Sequence, residues 1–195
     1  KAGQAPDLFS YAVCVDPQET PYRLNVSNSK LELATDLMTL IIFKDPLRFH
    51  FLTAAGQVLS EDDSAFGTSW IGEEVSTYRK LQGGERFIGL GEKTGPLDRA
   101  GSAYVNWNTG TPIISAIRWM ATRSMLRSRS LSVSTAASRT GFSSTTPTAR
   151  LSTSALRIDR FSSFSADSGD MSYYFIHDTS VRGIIAAYTR LTGRM

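Results

Sequence analysis

Cys14 is the only cysteine in 195 residues, so the sequence offers neither an intrachain disulfide framework nor a cysteine-based zinc site. His50 and His177 are the only histidines, too few for a histidine-rich metal centre. No apolar run approaches the roughly 18 to 20 residues that cross a bilayer as a helix, and no basic-then-apolar leader opens the chain. No membrane partner is therefore expected, and a start at Lys1 rather than Met points to a trimmed or partial chain. The remaining shortage is local. Residues 111–158 contain no acidic residue and no lysine, and Trp119 and Phe142 are their only aromatics.

That shortage governs the charge. Residues 1–110 carry 10 Lys and Arg against 14 Asp and Glu, residues 111–158 carry 7 Arg unopposed, and residues 159–195 carry 4 against 4. The whole formal excess of +3 thus arises in a stretch that is also crowded with 19 Ser and Thr. The rest of the chain is balanced or mildly acidic, and at 41% hydrophobic overall the length suits one packed domain.

Outside the basic stretch the text reads as strands. Short alternating or apolar runs cover 22–26, 30–34, 37–43, 48–52, 74–81, 86–90 and 171–177. Turn residues such as Asn28-Ser29, Asp45-Pro46, Ala55-Gly56 and Gly83-Gly84 separate them. This pattern predicts an all-β, antiparallel sandwich rather than a βαβ fold. The period then changes. Val181, Ile184, Ile185, Tyr188 and Leu191 recur at helical spacing, with Ser180 as N-cap and Gly193 as stop signal.

Several apparent motifs fail on geometry. Gly91-Glu-Lys-Thr94 interrupts the Gly-Lys-Thr order of a phosphate loop, and Gly89-Leu-Gly91 lacks the third glycine of a dinucleotide site. His177 and Asp178 are strand neighbours and point to opposite faces, which is wrong for a hydrolase triad. His50, alone between two phenylalanines, reads as structural, and Glu61-Asp-Asp63 as a solvated turn. Asn25-Val-Ser27 fits a glycosylation sequon too short to carry weight. The Arg/Ser run 123–132 has the composition of a nucleic-acid-binding or phosphorylated segment, yet it interrupts a compact β domain. No nucleic-acid partner is expected. A free-standing β-sandwich that binds carbohydrate, or something acidic through this run, is the alternative reading.

The run Arg86-Phe-Ile-Gly-Leu-Gly-Glu-Lys-Thr-Gly-Pro-Leu-Asp98, followed by Tyr104-Val-Asn-Trp-Asn-Thr109, resembles the N-terminal β-sandwich of glycoside hydrolase family 31, the α-glucosidase family. Gly89, Gly91, Glu92, Lys93, Trp107 and Asn108 carry the motif, and the resemblance gives them turn and interface roles rather than chemistry. Tyr173 to His177 and the helix ending in Arg194 extend it. The similarity is with the galactose mutarotase-like domain that precedes that family's catalytic (β/α)₈ barrel. It implies a retaining α-glycosidase acting on an oligosaccharide or α-glucoside, with no cofactor and no metal. Retention uses two carboxylates about 5 to 5.5 Å apart, and in this family both are barrel aspartates. The chain ends where such a barrel would begin, so no residue here is expected to be catalytic. The resemblance also places a loop that shapes the sugar pocket at residues 110–126.

The basic stretch lies in the gap of that resemblance, and the genetic code explains it. If residues 111–158 are read one base out of register, the neighbouring frame is rebuilt from the third base of each codon and the first two of the next. Trp119, Met120 and Ala121 leave no choice: their codons force Asp-Gly. Permitted codons elsewhere accommodate DPLY, IPFF and YGIFFDN, stretches that resemble the family's text after Trp-Asn-Thr. This frame is rich in aromatic and β-branched strand formers, where the printed one is Arg/Ser text. The expected organisation is a first part of the sandwich at 1–110, an irregular out-of-frame segment at 111–158, and last strands plus helix at 159–195. Resequencing the coding DNA is expected to reveal frame changes after codon 109 or 110 and near codons 157 to 160; independent confirmation of the printed frame would refute this.

Overall fold

The computed structural model describes residues 13–16, 19–89, 95–105, 132–133, 139–144, 149–152, 161–166, 171 and 173–193. Its first sheet is an antiparallel meander of five strands: β1 (Arg23–Val26), β2 (Lys30–Ala34), β3 (Met38–Lys44), β4 (Leu47–Thr53) and β5 (Val58–Glu61). Register makes its two faces unlike each other. Leu24, Leu33, Leu40 and Phe51 lie directly across from one another, as do Val26, Leu31, Ile42 and Phe49, so one face carries two apolar rows from β1 to β4, the first of which ends on Ser60 of β5. The other carries Asn25, Glu32, Ile41, His50 and Glu61 in one row. Strand alternation alone produces the separation.

A second sheet runs β6 (Thr68–Ile71), β7 (Glu74–Lys80), β12 (Phe161–Ala166), β11 (Ala149–Ser152) and β8 (Ala103–Val105) in spatial order. A third places β10 (Arg139–Ser144) between β13 (Tyr173–Asp178) and β9 (Ser132–Val133). All pairings are antiparallel among the described strands, as the sandwich reading expects. The core gathers Phe51, Leu59, Val75, Phe87, Ala166 and Ile184. Phe51 of the first sheet stacks on Phe175 of the third, ring centroids 4.0 Å apart.

Two expectations need correction. Residues 86–88 form no strand, because the Phe87 amide donates to the Asp98 carboxylate and its carbonyl accepts from Arg99 N–H, which pins a loop instead. Within 111–158, where irregular chain is expected, the described residues are strands β9, β10 and β11. A ladder needs only backbone N–H and C=O groups, and β13 and β12 present theirs to any chain laid alongside. The other residues of that segment lie outside the described ones.

The helix follows the sequence closely. α1 (Val181–Thr192) starts at Ser180, whose hydroxyl accepts the Gly183 N–H at 2.9 Å, and ends at Gly193 with φ 79°. Asp178 accepts from the Ser180 N–H at 2.8 Å and the Ser180 hydroxyl at 3.0 Å, so the strand end holds the cap. A Cβ on Gly183 would overlap this carboxylate. No described helix is long and apolar enough to cross a membrane. Ile184 is the fully buried contact of α1. Ile184→Ala is expected to cost about 2 to 5 kcal/mol by loss of transfer energy and cavity formation, measured as a drop in the urea midpoint at unchanged m-value.

Candidate functional site

Where β4, β5 and β7 converge, an open cleft of about 490 Å³ is lined by Phe43, Pro46, Arg48, His50, Glu61, Asp62, Asp63 and Lys80, among others. Strand phase assembles it. His50 and Glu61 are cross-strand partners on the polar face of the first sheet, and Phe43 stands edge-on to the His50 ring at 4.9 Å. Lys80, at the end of β7, reaches Glu61 Oε1 at 2.7 Å. The Arg48 guanidinium donates to its own strand at Leu47 O and to the carbonyls of Ser64 and Ala65, holding the following loop.

The acids below the rim are committed to backbone. Glu61-Asp-Asp63, expected as a solvated turn, is corrected here: Asp62 and Asp63 are only 6% and 3% exposed. Asp62 Oδ2 accepts the Phe49 N–H at 3.0 Å, and the Asp62 N–H returns a bond to Phe49 O. Asp63 Oδ1 accepts the N–H groups of Ala65 and Phe66 and fixes the turn into β6. A carboxylate occupied in this way orders a chain reversal; it is poorly placed to attack or protonate a substrate.

Behind the cleft lies a buried polar joint. Arg79 continues the inward phase of Val75 and Thr77 on β7, and its Nε donates to Ser60 Oγ of β5 at 2.7 Å. Glu85 lies 3.9 Å from its Nη2. The Thr68 and Thr77 hydroxyls meet at 3.0 Å beside Asp62. Burial pulls the Arg79 pKa down, and the charges of Glu85, Tyr173 and Asp62 oppose that pull. Burial, reinforced by the Asp62 charge, pushes the Tyr173 phenol up. The signal for this joint was present in the sequence as an arginine in step with two inward residues.

Of the motif residues, Gly89 is described and has φ 120°, a conformation that favours glycine. Gly91, Glu92, Lys93, Trp107 and Asn108, and the loop expected at 110–126, lie outside the described residues. His177 and Asp178 form no catalytic pair, since Asp178 serves the cap and is held below the usual carboxylate range chiefly by the Ser180 N–H. Among the described residues no group of His, Cys, Asp and Glu is arranged to hold a metal.

Burial raises the Asp62 carboxyl to about 6, against the opposing Phe49 N–H and the charges of Arg79 and Arg48. A carboxyl with a raised folded-state pKa binds more protons folded than unfolded, so stability falls as pH rises from about 4 to about 6. The loss is on the order of 2 to 3 kcal/mol. Urea titrations across that window should show the decline in the native chain and lose it in Asp62→Asn.

Comparison with known proteins fits this geometry. The sequence profile of the glycosyl hydrolase 31 N-terminal galactose mutarotase-like domain matches residues 1–113. Alpha-glucosidase 2 of Bacillus thermoamyloliquefaciens is 26% identical over 209 residues, spanning 99% of this chain and 24% of that protein. The GH31 dextranase of Flavobacterium johnsoniae, solved with glucose, superposes with a TM-score of 0.77 at 25% identity, covering 95% of this chain and 22% of the dextranase. A GH31 α-xylosidase from a soil metagenome shares the fold at 14% identity and a TM-score of 0.67, over 97% of this chain and 29% of the enzyme. The chain thus spans about a quarter of the length of these relatives. Its antiparallel strands and these likenesses agree: the chain belongs to the glycosyl hydrolase 31 N-terminal galactose mutarotase-like domain family.

Proposed function

We propose that this chain is the leading, non-catalytic sandwich of a retaining α-glycosidase that hydrolyses terminal α-glucosidic bonds in oligosaccharides or α-glucosides. The observation that carries the reading is the alignment of 99% of the chain with only 24% of an α-glucosidase. The described cleft supports it from the chemical side, because Asp62 and Asp63 accept backbone amides and Glu61 is paired with Lys80. Hydrolysis with retention calls for two free carboxylates facing one bond, and these acids are engaged in holding the fold. The two hydrolytic aspartates belong to a barrel beyond this chain.

The basic stretch at 111–158 follows the same reading. Its seven arginines are out-of-frame text rather than a nucleic-acid surface. The support for this is the genetic code, in which Trp119, Met120 and Ala121 force Asp-Gly in the neighbouring frame.

The purified chain is expected to show no turnover of p-nitrophenyl α-glucoside, while the product of the gene extended downstream hydrolyses it. Turnover by the chain alone contradicts the reading. A stop codon directly after Met195 favours a free-standing carbohydrate-binding sandwich instead.

A further inference from the structure

The cleft between β4, β5 and β7 keeps hydrogen-bonding capacity that the fold does not use. Its deeper groups are occupied, since Asp62 and Asp63 accept backbone amides and Arg48 donates to backbone carbonyls. The rim differs. Glu61 accepts from Lys80 through Oε1 at 2.7 Å, and among the described residues its Oε2 has no bonded partner. Lys80 is more than half exposed and keeps its other ammonium protons for a further acceptor. The His50 ring makes no hydrogen bond among the described residues; its contact is with Phe43, ring centroids 4.9 Å apart.

Charge narrows what such a rim can hold. Asp45, Glu61, Asp62 and Asp63 outnumber Arg48 and Lys80 around the cleft, so an anion meets net repulsion there. Among the described residues no set of His, Cys, Asp and Glu is arranged for a metal. An uncharged ligand carrying both donors and acceptors remains. Phe43 and Pro46 add apolar surface beside the charged rim, and the cleft's 490 Å³ falls within the range of about 300 to 1,000 Å³ usual for small-molecule sites. A sugar ring matches this composition, because it has a C–H-lined face and an edge of neighbouring hydroxyls, each able to donate to a carboxylate or accept from an ammonium. We propose that this cleft is a saccharide-binding site in which Glu61 and Lys80 hold adjacent hydroxyls of one ring, His50 bonds another, and Phe43 with Pro46 packs on the ring's apolar face. The ion pair is what prepares the site, since it fixes an acceptor and a donor side by side before any ligand arrives. Every residue invoked lies within 43–81, so neither the out-of-frame reading nor a barrel is required. Only the choice of a glucose-based probe rests on the α-glycosidase reading.

His50 and His177 are the only histidines, so their imidazole C–H resonances provide one probe inside the cleft and one outside it, assigned with His177→Gln. Titrating the purified chain with isomaltotriose at fixed pH should move the His50 resonance along a saturable curve and leave that of His177 in place. Glu61→Gln and Lys80→Met should each weaken this binding by about tenfold, the loss expected of a hydrogen bond to a charged group. Glu32→Gln, on the same face of the sheet but outside the cleft, should leave it unchanged. The urea transition of each variant checks that the fold is kept, and one folded rim variant is enough to decide. Undiminished binding in the folded rim variants overturns the proposal. So does an equal response to sorbitol, which lacks a ring, a response to sulfate or calcium at lower concentration than to the sugar, or equal movement of both histidines. Absence of any saturable shift removes the site and leaves the α-glycosidase reading intact, because that reading is decided by turnover in the product of the extended gene.

Discussion

The Arg79–Ser60 hydrogen bond is the constraint around which the described sandwich is organised. It ties β7 of one sheet to β5 of another at 2.7 Å, in a place where neither partner has water as a substitute. Once a guanidinium is buried, it must be surrounded by acceptors or countercharge, because removing one partner of such a group typically costs about 3 to 5 kcal/mol. Glu85 and Asp62 meet that demand, and Asp62 in turn fixes β4 through Phe49. A polar joint contributes less to net stability than an apolar one of equal volume. It contributes more to uniqueness, since sliding one sheet past the other would break the Arg79–Ser60 bond and leave a buried donor unpaired.

This division explains how much could be read in advance. The strands 22–26, 30–34, 37–43, 48–52 and 74–81 were legible because one side of each is apolar at period two, and the helix because Ser180 and Gly193 bracket a 3.6-residue repeat. β5 and β6 were not, since Val58–Glu61 and Thr68–Ile71 are short and polar on the side that faces the joint. The buried state of Asp62 and Asp63 was also hidden. Adjacent acids look solvated in isolation, and only the amides of Phe49, Ala65 and Phe66, two of them from the following turn and one from another strand, make burial tolerable. The motif residues Gly89, Gly91, Glu92, Lys93, Trp107 and Asn108 were legible only as a resemblance, because so short a run of glycine and polar residues leaves no periodic mark.

The middle segment separates two kinds of information that usually coincide. Backbone hydrogen bonds form β10 and β11 on the open edges of β13 and β12, indifferent to which side chains they carry. Side-chain chemistry decides whether the layers then close. A fold comparison reports the first and is blind to the second.

Gly183 illustrates how such dependencies reach across element boundaries. Glycine is a poor choice inside a helix, by about 1 kcal/mol relative to alanine, and nothing in α1 itself calls for it. The requirement is imposed by Asp178, whose carboxylate occupies the volume a Cβ would fill while it holds the cap residue Ser180. Positions 178 and 183 are thus coupled across the strand–helix junction: an alanine at 183 takes the space of the Asp178 carboxylate, so its gain in helix propensity is set against displacement of the group that holds Ser180.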